Sequence, residues 1–204
     1  VETLSQVPDG ANLLIRSHGV AKSVYDECAE RRINVIDCTC KFVAKTQRIV
    51  ERESELGKTV VITGHREHPE VVGLVGWCKG EVHVFSSEES DFSCLEGKNV
   101  VLLSQTTFSA QRFLKIAENI KKVCPKTVEI FQTICYTTIR RQKETAQIAE
   151  HCDAVLVIGG LNSSNTNKLA EIASKKCKTV IRLHNAGDFV YENIKFCKRV
   201  GIVA

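Results

Sequence analysis

Residues 33–47 read INVIDCTCKFVAKTQ, a short apolar run that passes through two cysteines into an amphipathic segment. A second stretch, residues 128–142, reads VEIFQTICYTTIRRQ. An offset of 95 residues (40 to 135) brings Cys135 onto Cys40, whereas Cys38 falls on a threonine. Each stretch has the pattern of a buried strand followed directly by a helix. The cysteine at each junction is the first sign of an internal repeat.

The match extends beyond the cysteines at the same offset. Gln47 falls on Gln142, and 24 residues after each cysteine (40 to 64, 135 to 159) a β-branched run ends in Gly64 or in Gly159. One offset thus superposes strand, cysteine, helix, strand, glycine and a second helix. The sequence therefore predicts two copies of one structural unit.

Short apolar runs alternate with amphipathic segments along the whole chain. The runs are ANLLIR, INVID, KTVVITG, EVHVF, KNVVLLS, TVEIF, AVLVIGG, KTVIRL and RVGIVA. This alternation predicts an α/β protein with mostly parallel, buried strands. Together with the repeat, it predicts a pseudo-threefold assembly of small αβα domains, about two and a fraction of them in this chain. We place a remnant of the first domain at 1–39, the second at 40–134 and a shortened third at 135–204.

Composition narrows the class of protein. The 204 residues are 43% hydrophobic and 25% charged, with a net charge of +4, as in ordinary soluble domains. We expect no nucleic-acid partner, because there is no dense basic run, and no membrane, because we find neither a membrane-length apolar span nor a signal peptide. Ten cysteines in so long a chain favour a reducing cytosol over a secreted disulfide scaffold, and we predict a cytoplasmic protein. The lack of methionine predicts a fragment of a longer protein.

Three loop types recur after strands, where ligands bind in open α/β sheets. The first type carries Cys40 or Cys135 at a strand-to-helix junction, where the helix dipole and free N–H groups stabilise a thiolate. One thiolate per domain suits an iron–sulfur cluster or another soft metal, although burial in a core is the usual role of a free cysteine. Cys38 has no counterpart and is interpreted as a packing residue or a bystander.

The second loop type opens a helix, with HREHPE at 65–70 and LNSSNTN at 161–167. A helix N-terminus bearing histidine, serine and asparagine is suited to phosphate, although plain capping is the alternative for the serines. Glu70 would repel an anion, so it is better suited to donating a proton, with a first-turn acid stabilised by the helix dipole as the alternative.

The third loop type is RSHGV at 16–20 and SQTTFS at 104–109. His18 is a candidate anion ligand when protonated, with a structural role as the alternative. The hydroxyl groups of Thr106 and Thr107 are candidates for holding a substrate or a water molecule.

Taken in order, RSHGV, DCTC, HREHPE, SQTTFS, TICYTT and GGLNSSNTNKL resemble the motifs of the LytB family, the 4-hydroxy-3-methylbut-2-enyl diphosphate reductases. The likeness runs through nearly the whole chain. It implies three αβα domains around a 4Fe–4S cluster held by three cysteines. Two of them match Cys40 and Cys135, and the third has no match in this chain.

The resemblance also implies an activity, an enzyme of isoprenoid biosynthesis that acts on a small diphosphate. Two electrons, from an external donor such as ferredoxin or flavodoxin, and two protons remove the hydroxyl as water and give isopentenyl and dimethylallyl diphosphate. Glu70 is implied as the proton donor and Thr106 as a second catalytic residue beside the hydroxyl. The residues implied in substrate binding are His18, His68, Thr106, Thr107, Ser163, Ser164 and Asn165.

Two departures from the family pattern limit these expectations. Lys41 stands where the family usually has proline, and the chain lacks the third cysteine, a further substrate histidine and a C-terminal loop. We therefore expect this chain alone to be inactive. Two other functions also fit the residues: a non-catalytic phosphate- or metabolite-binding α/β module, and a zinc or thiol-redox protein that uses Cys38 and Cys40.

Overall fold

The computed structural model describes residues 1, 3–125 and 128–204, and each predicted apolar run forms a strand within them. The strands are β1 (Asn12–Ile15), β2 (Asn34–Asp37), β3 (Thr59–Thr63), β4 (Val82–Phe85), β5 (Val100–Ser104), β6 (Val128–Ile130), β7 (Ala154–Ile158), β8 (Thr179–Leu183) and β9 (Val200–Val203). The α-helices are α1 (Lys22–Glu30), α2 (Lys41–Glu55), α3 (Pro69–Val75), α4 (Ala110–Val123), α5 (Tyr136–His151) and α6 (Ser164–Ser174).

The strands form three parallel sheets in the described part of the chain. Their orders are β1-β2, β4-β3-β5-β6 and β8-β7-β9, and every strand pair is parallel. The predicted α/β class with parallel sheets is confirmed. In the second sheet β3 lies between β4 and β5, so Val61 is level with His83 on one side and Leu102 on the other.

The two central strands of the second sheet, β3 and β5, are fully buried. All five residues of β3 and all five of β5 are buried, as expected for the central strands of a sheet covered on both faces. Apolar side chains of α2 and α3 pack against them. This core fixes the carboxyl ends of β3 and β5 next to each other.

The 95-residue repeat is visible in the backbone. Helices α2 and α5 begin one residue after the paired cysteines, and strands β3 and β7 begin at residues 59 and 154. The paired glycines also have the same function. A Cβ on Gly64 would lie 2.7 Å from Val71 Cγ2, and one on Gly159 would overlap Thr166 Oγ1, the residue at the same offset. Glycine is needed in both copies because the following helix passes close to the backbone.

The chain packs as two compact units. One comprises Val1–Thr106 with Gln111–Thr133, and the other comprises Thr107–Ala110 with Ile134–Ala204. The domain boundaries at 39/40 and 134/135 stay a prediction. Among the described residues, no helix is long and apolar enough to cross a bilayer.

Candidate active site

Cys40 and Cys135 occupy equivalent positions in the two units. Each is the N-cap of its helix, with φ −55° and ψ 133° for Cys40 and φ −60° and ψ 133° for Cys135. Their carbonyl oxygens accept the N–H groups of Ala44 and Ile139 at 2.9 and 3.0 Å. Both are free thiols, Cys40 exposed and Cys135 half-buried. Each thiol is therefore accessible at a helix N-terminus.

Cys38 is also an exposed free thiol, but it is not the N-cap of a helix, since that position is taken by Cys40. The packing alternative is therefore wrong for Cys38, and the bystander alternative stays a prediction for this residue. Its counterpart Thr133 is half-buried, and the Thr133 hydroxyl accepts the Ser104 N–H at 2.8 Å and donates to the Ser104 carbonyl at 2.7 Å. Among the described residues, no three histidine, cysteine, aspartate or glutamate side chains are grouped so as to hold a metal ion. Cys38 and Cys40 thus have no third ligand in that part of the chain.

The Glu70 carboxyl group is buried beside Thr106. Its Oε1 accepts the Thr106 N–H at 2.6 Å, and its Oε2 accepts the Thr106 hydroxyl at 2.7 Å. The side chain of Glu70 is 2% exposed and that of Thr106 is 6% exposed. Glu70 lies in the first turn of α3 and Thr106 follows β5, so the pairing of β3 with β5 brings the two loops together.

Burial raises the pKa of Glu70 above its ordinary value, because the charged form loses solvation. The two hydrogen bonds from Thr106 act in the opposite direction, since they stabilise the carboxylate. The result is an acid that holds its proton more strongly than an exposed glutamate. That property is what a proton donor at neutral pH requires.

His68 is the N-cap of α3. Its Nδ1 accepts the Glu70 N–H at 3.2 Å, so in the neutral ring the proton is on Nε2. The His68 ring packs edge-on against His18, with 5.4 Å between the ring centroids and 79° between the planes. His18 Nδ1 is buried without a hydrogen-bond partner in the described part of the chain.

Both imidazoles are neutral at pH 7. Burial, reinforced by His18 and His65, lowers the pKa of His68 to about 4. Burial and the neighbouring Arg16 also lower the pKa of His18. The prediction that His18 binds an anion when protonated stays a prediction. The two rings offer neutral N–H groups.

A backbone hydrogen bond ties the cysteine loop to the histidine loop. The N–H of Cys40 donates to the carbonyl of Ser17 at 3.0 Å, immediately before His18. Four predicted loops of the first unit are thus joined through direct contacts. Cys40 contacts the loop of His18, His18 contacts His68, and the loop of His68 contacts Thr106.

The remaining predicted residues lie in the second unit. Ser163 is the N-cap of α6, and its Oγ accepts the Thr166 N–H at 3.2 Å, so the capping alternative holds for this serine. The hydroxyl of Thr107 donates to Ser164 Oγ at 3.2 Å. Asn165 Oδ1 is buried and has no hydrogen-bond partner among the residues described. Thr106 and Thr107 therefore belong to different groups, one with Glu70 and the other with Ser164.

The repeat pairs two buried glutamines whose function the sequence did not predict. Gln47 Nε2 donates to the carbonyl of Val20 at 3.4 Å, and Gln142 Nε2 donates to the carbonyl of Phe108 at 3.0 Å. Gln142 Oε1 also accepts the Ala110 N–H at 3.3 Å. Each glutamine holds the backbone of a polar loop that carries candidate site residues. Their coincidence at the 95-residue offset was the signal that could have revealed this.

Comparison with known proteins identifies the family. The model of the family described as LytB protein matches residues 1–204. The chain is also 38% identical to the 4-hydroxy-3-methylbut-2-enyl diphosphate reductase of Thermoanaerobacter sp. (strain X514), over all of this chain and 70% of the relative. The chain belongs to the LytB family.

A further LytB relative has a similar identity to the chain. The reductase of Geobacter sulfurreducens is 36% identical, over all of this chain and 73% of its own length. These relatives carry the name of an enzyme, so the family assignment is that of a reductase. The chain spans 70% of the Thermoanaerobacter protein and 65% of one solved relative.

Solved structures of LytB proteins have the same fold. The Plasmodium falciparum E-1-hydroxy-2-methyl-but-2-enyl-4-diphosphate reductase matches the whole chain with a TM-score of 0.91 at 24% identity. A second (E)-4-hydroxy-3-methyl-but-2-enyl diphosphate reductase, described as the terminal enzyme of the non-mevalonate pathway, matches with a TM-score of 0.65 at 28% identity and 73% coverage of that chain. The predicted family and fold class are confirmed.

Proposed function

We propose that this chain supplies catalytic and binding residues of a reductase that removes the hydroxyl of 4-hydroxy-3-methylbut-2-enyl diphosphate as water. The names of the LytB relatives support the substrate. The structural observation that carries the proposal is the buried Glu70 carboxyl group, which has a raised pKa and a hydroxyl neighbour in Thr106.

Glu70 is the proposed proton donor. Hydroxide is a poor leaving group, and a proton delivered to its oxygen lets it depart as water. When Glu70 is protonated, its Oε2–H can donate to Thr106 Oγ, and the Thr106 hydroxyl can then donate to the substrate oxygen. In the balanced reaction the substrate gains two electrons and two protons and loses one water. Glu70 supplies the proton that leaves with the hydroxyl.

Cys40 and Cys135 are the proposed thiolate ligands of a 4Fe–4S cluster. Their equal backbone conformation at two helix N-termini supports this assignment, because such positions stabilise a thiolate. When bound, the cluster would pass electrons to the substrate and act as a Lewis acid toward its hydroxyl oxygen. The chain contributes two of the three thiolates that the family pattern implies. We therefore keep the prediction that the chain alone has no turnover.

The residues that the family resemblance implies in diphosphate binding are kept as a proposal, and each unit supports it separately. In the first unit, His68 offers its Nε2–H because Nδ1 is already an acceptor, and His18 has a buried ring nitrogen without a partner among the described residues. In the second unit, Ser164 and Asn165 lie in the first turn of α6, which Ser163 caps, and the Thr107 hydroxyl donates to Ser164. Backbone N–H groups at a helix N-terminus favour phosphoryl oxygens.

An external donor such as ferredoxin or flavodoxin is proposed to deliver the electrons in the bacterial cytoplasm. The bacterial sources of the curated relatives support this setting.

The test uses a protein of family length that contains this sequence, loaded anaerobically with iron and sulfide and supplied with a chemical one-electron reductant. We expect conversion of the substrate to isopentenyl and dimethylallyl diphosphate, detected by mass spectrometry. The 204-residue chain treated in the same way is the comparison, and we expect no turnover from it. An intact cluster with tight diphosphate binding but no product from the longer protein would instead favour the phosphate-binding module.

A further inference from the structure

A second group of reactive side chains lies outside the residues discussed above. His83 is in β4, and its Nδ1 is 3.7 Å from the Sγ of Cys94. Its Nε2 is 2.9 Å from Glu81 Oε1. The imidazole thus contacts the thiol through one ring nitrogen and the carboxylate through the other. This is the arrangement by which proteins activate a thiol with a base and orient that base with a third group.

The carboxylate is held firmly in place. Glu81 Oε1 also accepts from Lys98 Nζ at 2.5 Å, and Glu81 Oε2 accepts from the Thr59 hydroxyl at 3.1 Å. The hydrogen bonds from Lys98 and His83 lower the pKa of Glu81 to about 2, so the carboxylate is ionised at neutral pH. It therefore accepts from the Nε2–H of His83, which leaves the Nδ1 lone pair facing the thiol.

Aromatic packing fixes the orientation of the imidazole. The His83 ring stacks on Phe85 with the centroids 6.1 Å apart and the planes at 5°, and Phe85 packs edge-on against Phe92 at 4.8 Å. Phe92 is buried, whereas the free thiol of Cys94 is exposed. A preorganised base thus stands beside a thiol that solvent reaches.

We propose that Cys94 is a site of reversible modification by low-molecular-weight disulfides, with His83 as the base and Glu81 as the positioning residue. Nothing in the reductase chemistry uses these three residues. The product is a mixed disulfide on Cys94 beside the outer strand β4.

The chemistry balances without a further reactant. His83 Nδ1 takes the thiol proton, and the Cys94 thiolate attacks one sulfur of the disulfide. The S–S bond of the reagent breaks as the new S–S bond forms, and the leaving thiolate takes the proton from the imidazolium. The Cys94 sulfur is oxidised and the released sulfur is reduced. A thiol reverses the reaction by the same route.

The test treats the 204-residue chain at pH 7 with 2-hydroxyethyl disulfide, a small uncharged probe, and follows each cysteine by peptide mass spectrometry. Cys94 is the only cysteine between Lys79 and Lys98, so one tryptic peptide reports it. Exposed Cys38 is the internal reference, separated from Cys40 by fragmentation of their shared peptide. A base within reach of a thiol accepts its proton as the sulfur attacks, and of these two cysteines only Cys94 has such a base in the described part of the chain, with His83 at 3.7 Å. We therefore expect Cys94 to react about tenfold faster than Cys38.

Substitution of His83 shows whether Cys94 reacts faster because of this base or only because its thiol is exposed. His83→Asn should slow Cys94 to about the rate of Cys38 while the Cys38 rate stays unchanged, and His83→Gln should do the same if the asparagine variant does not fold. Equal rates at Cys94 and Cys38 in the wild type would overturn the proposal. So would an unchanged Cys94 rate in a folded His83 variant.

Discussion

The carboxyl group of Glu70 accepts both the backbone N–H and the hydroxyl of Thr106, at 2.6 and 2.7 Å. The two residues are 36 positions apart in the chain and meet because parallel strands β3 and β5 are neighbours. The contact gives the buried acid a partner residue that can pass on its proton.

Removing the Thr106 hydroxyl should change the acidity of Glu70. Thr106→Val keeps the backbone N–H but deletes the hydrogen bond to Oε2, which lowers the pKa of Glu70. The pKa of Glu70 should therefore rise further, as measured by a carbon-13 NMR titration of its carboxyl group. Thr107→Val is the matched control, because the Thr107 hydroxyl donates to Ser164. A lower pKa in Thr106→Val would contradict this reading of the pair.

Glu70 should also make the free energy of unfolding depend on pH. Its folded pKa is raised above 4.5, so the folded state binds more protons than the unfolded state between these two pKa values. Its contribution to stability is fully present below about pH 4.5 and is lost as pH rises through the folded pKa. The unfolding free energy of Glu70→Gln minus that of the wild type should therefore increase with pH across this window. Chemical denaturation at several pH values measures it, and a difference that stays constant would refute the assignment.

His68 should remain neutral well below the usual pH for histidine. Its pKa is lowered to about 4, and its Nδ1 accepts the Glu70 N–H. Nitrogen-15 NMR should therefore show the Nε2–H form at pH 6, and added pyrophosphate should raise the pKa because an anion favours the charged ring. His68→Asn assigns the signal while keeping a residue that caps helices well. Titration of His68 near 6.5 in the free protein would be the contrary result.

Gln142 should stabilise the second unit through the loop it holds. Gln142→Leu removes the hydrogen bonds that the glutamine makes to the Phe108 carbonyl and the Ala110 N–H, and the loss of a typical hydrogen bond costs about 0.5–1.5 kcal/mol. The unfolding free energy should fall by about that amount for each bond. Gln147→Leu, an exposed position on the same helix, is the control and should change stability little. Equal effects at the two positions would show that the loop contact is unimportant.

Much of this fold could be predicted because its signals are local. Apolar runs of strand length predicted the strands. The residues around Cys40 and around Cys135 predicted the starts of two helices, because a strand and a helix start both depend on residues close in sequence. Which strands pair depends on long-range packing. β4 lies between β3 and β5 in the chain, yet β3 and β5 are neighbours in the sheet.

The contacts of single site residues also depend on long-range packing, so the sequence did not predict them. The sequence predicted Thr106 and Thr107 as candidates for the same function. Successive side chains point in different directions, so only the structure shows that Thr106 contacts Glu70. His68 was missed as a cap because histidine is not among the usual capping residues. The packing alternative for Cys38 failed because the exposure of a side chain is set by tertiary packing.

The most direct test of the central claim is the effect of Glu70→Gln on turnover and on substrate affinity in a family-length protein that contains this sequence. Loss of the proton donor should lower kcat at least about a hundredfold, while the Kd for the diphosphate substrate changes little because the polar binding groups remain. Glu67→Gln, an exposed neighbour, should leave both values unchanged. Retained turnover in Glu70→Gln, or a loss of affinity as large as the loss of kcat, would contradict the role of Glu70 as the proton donor.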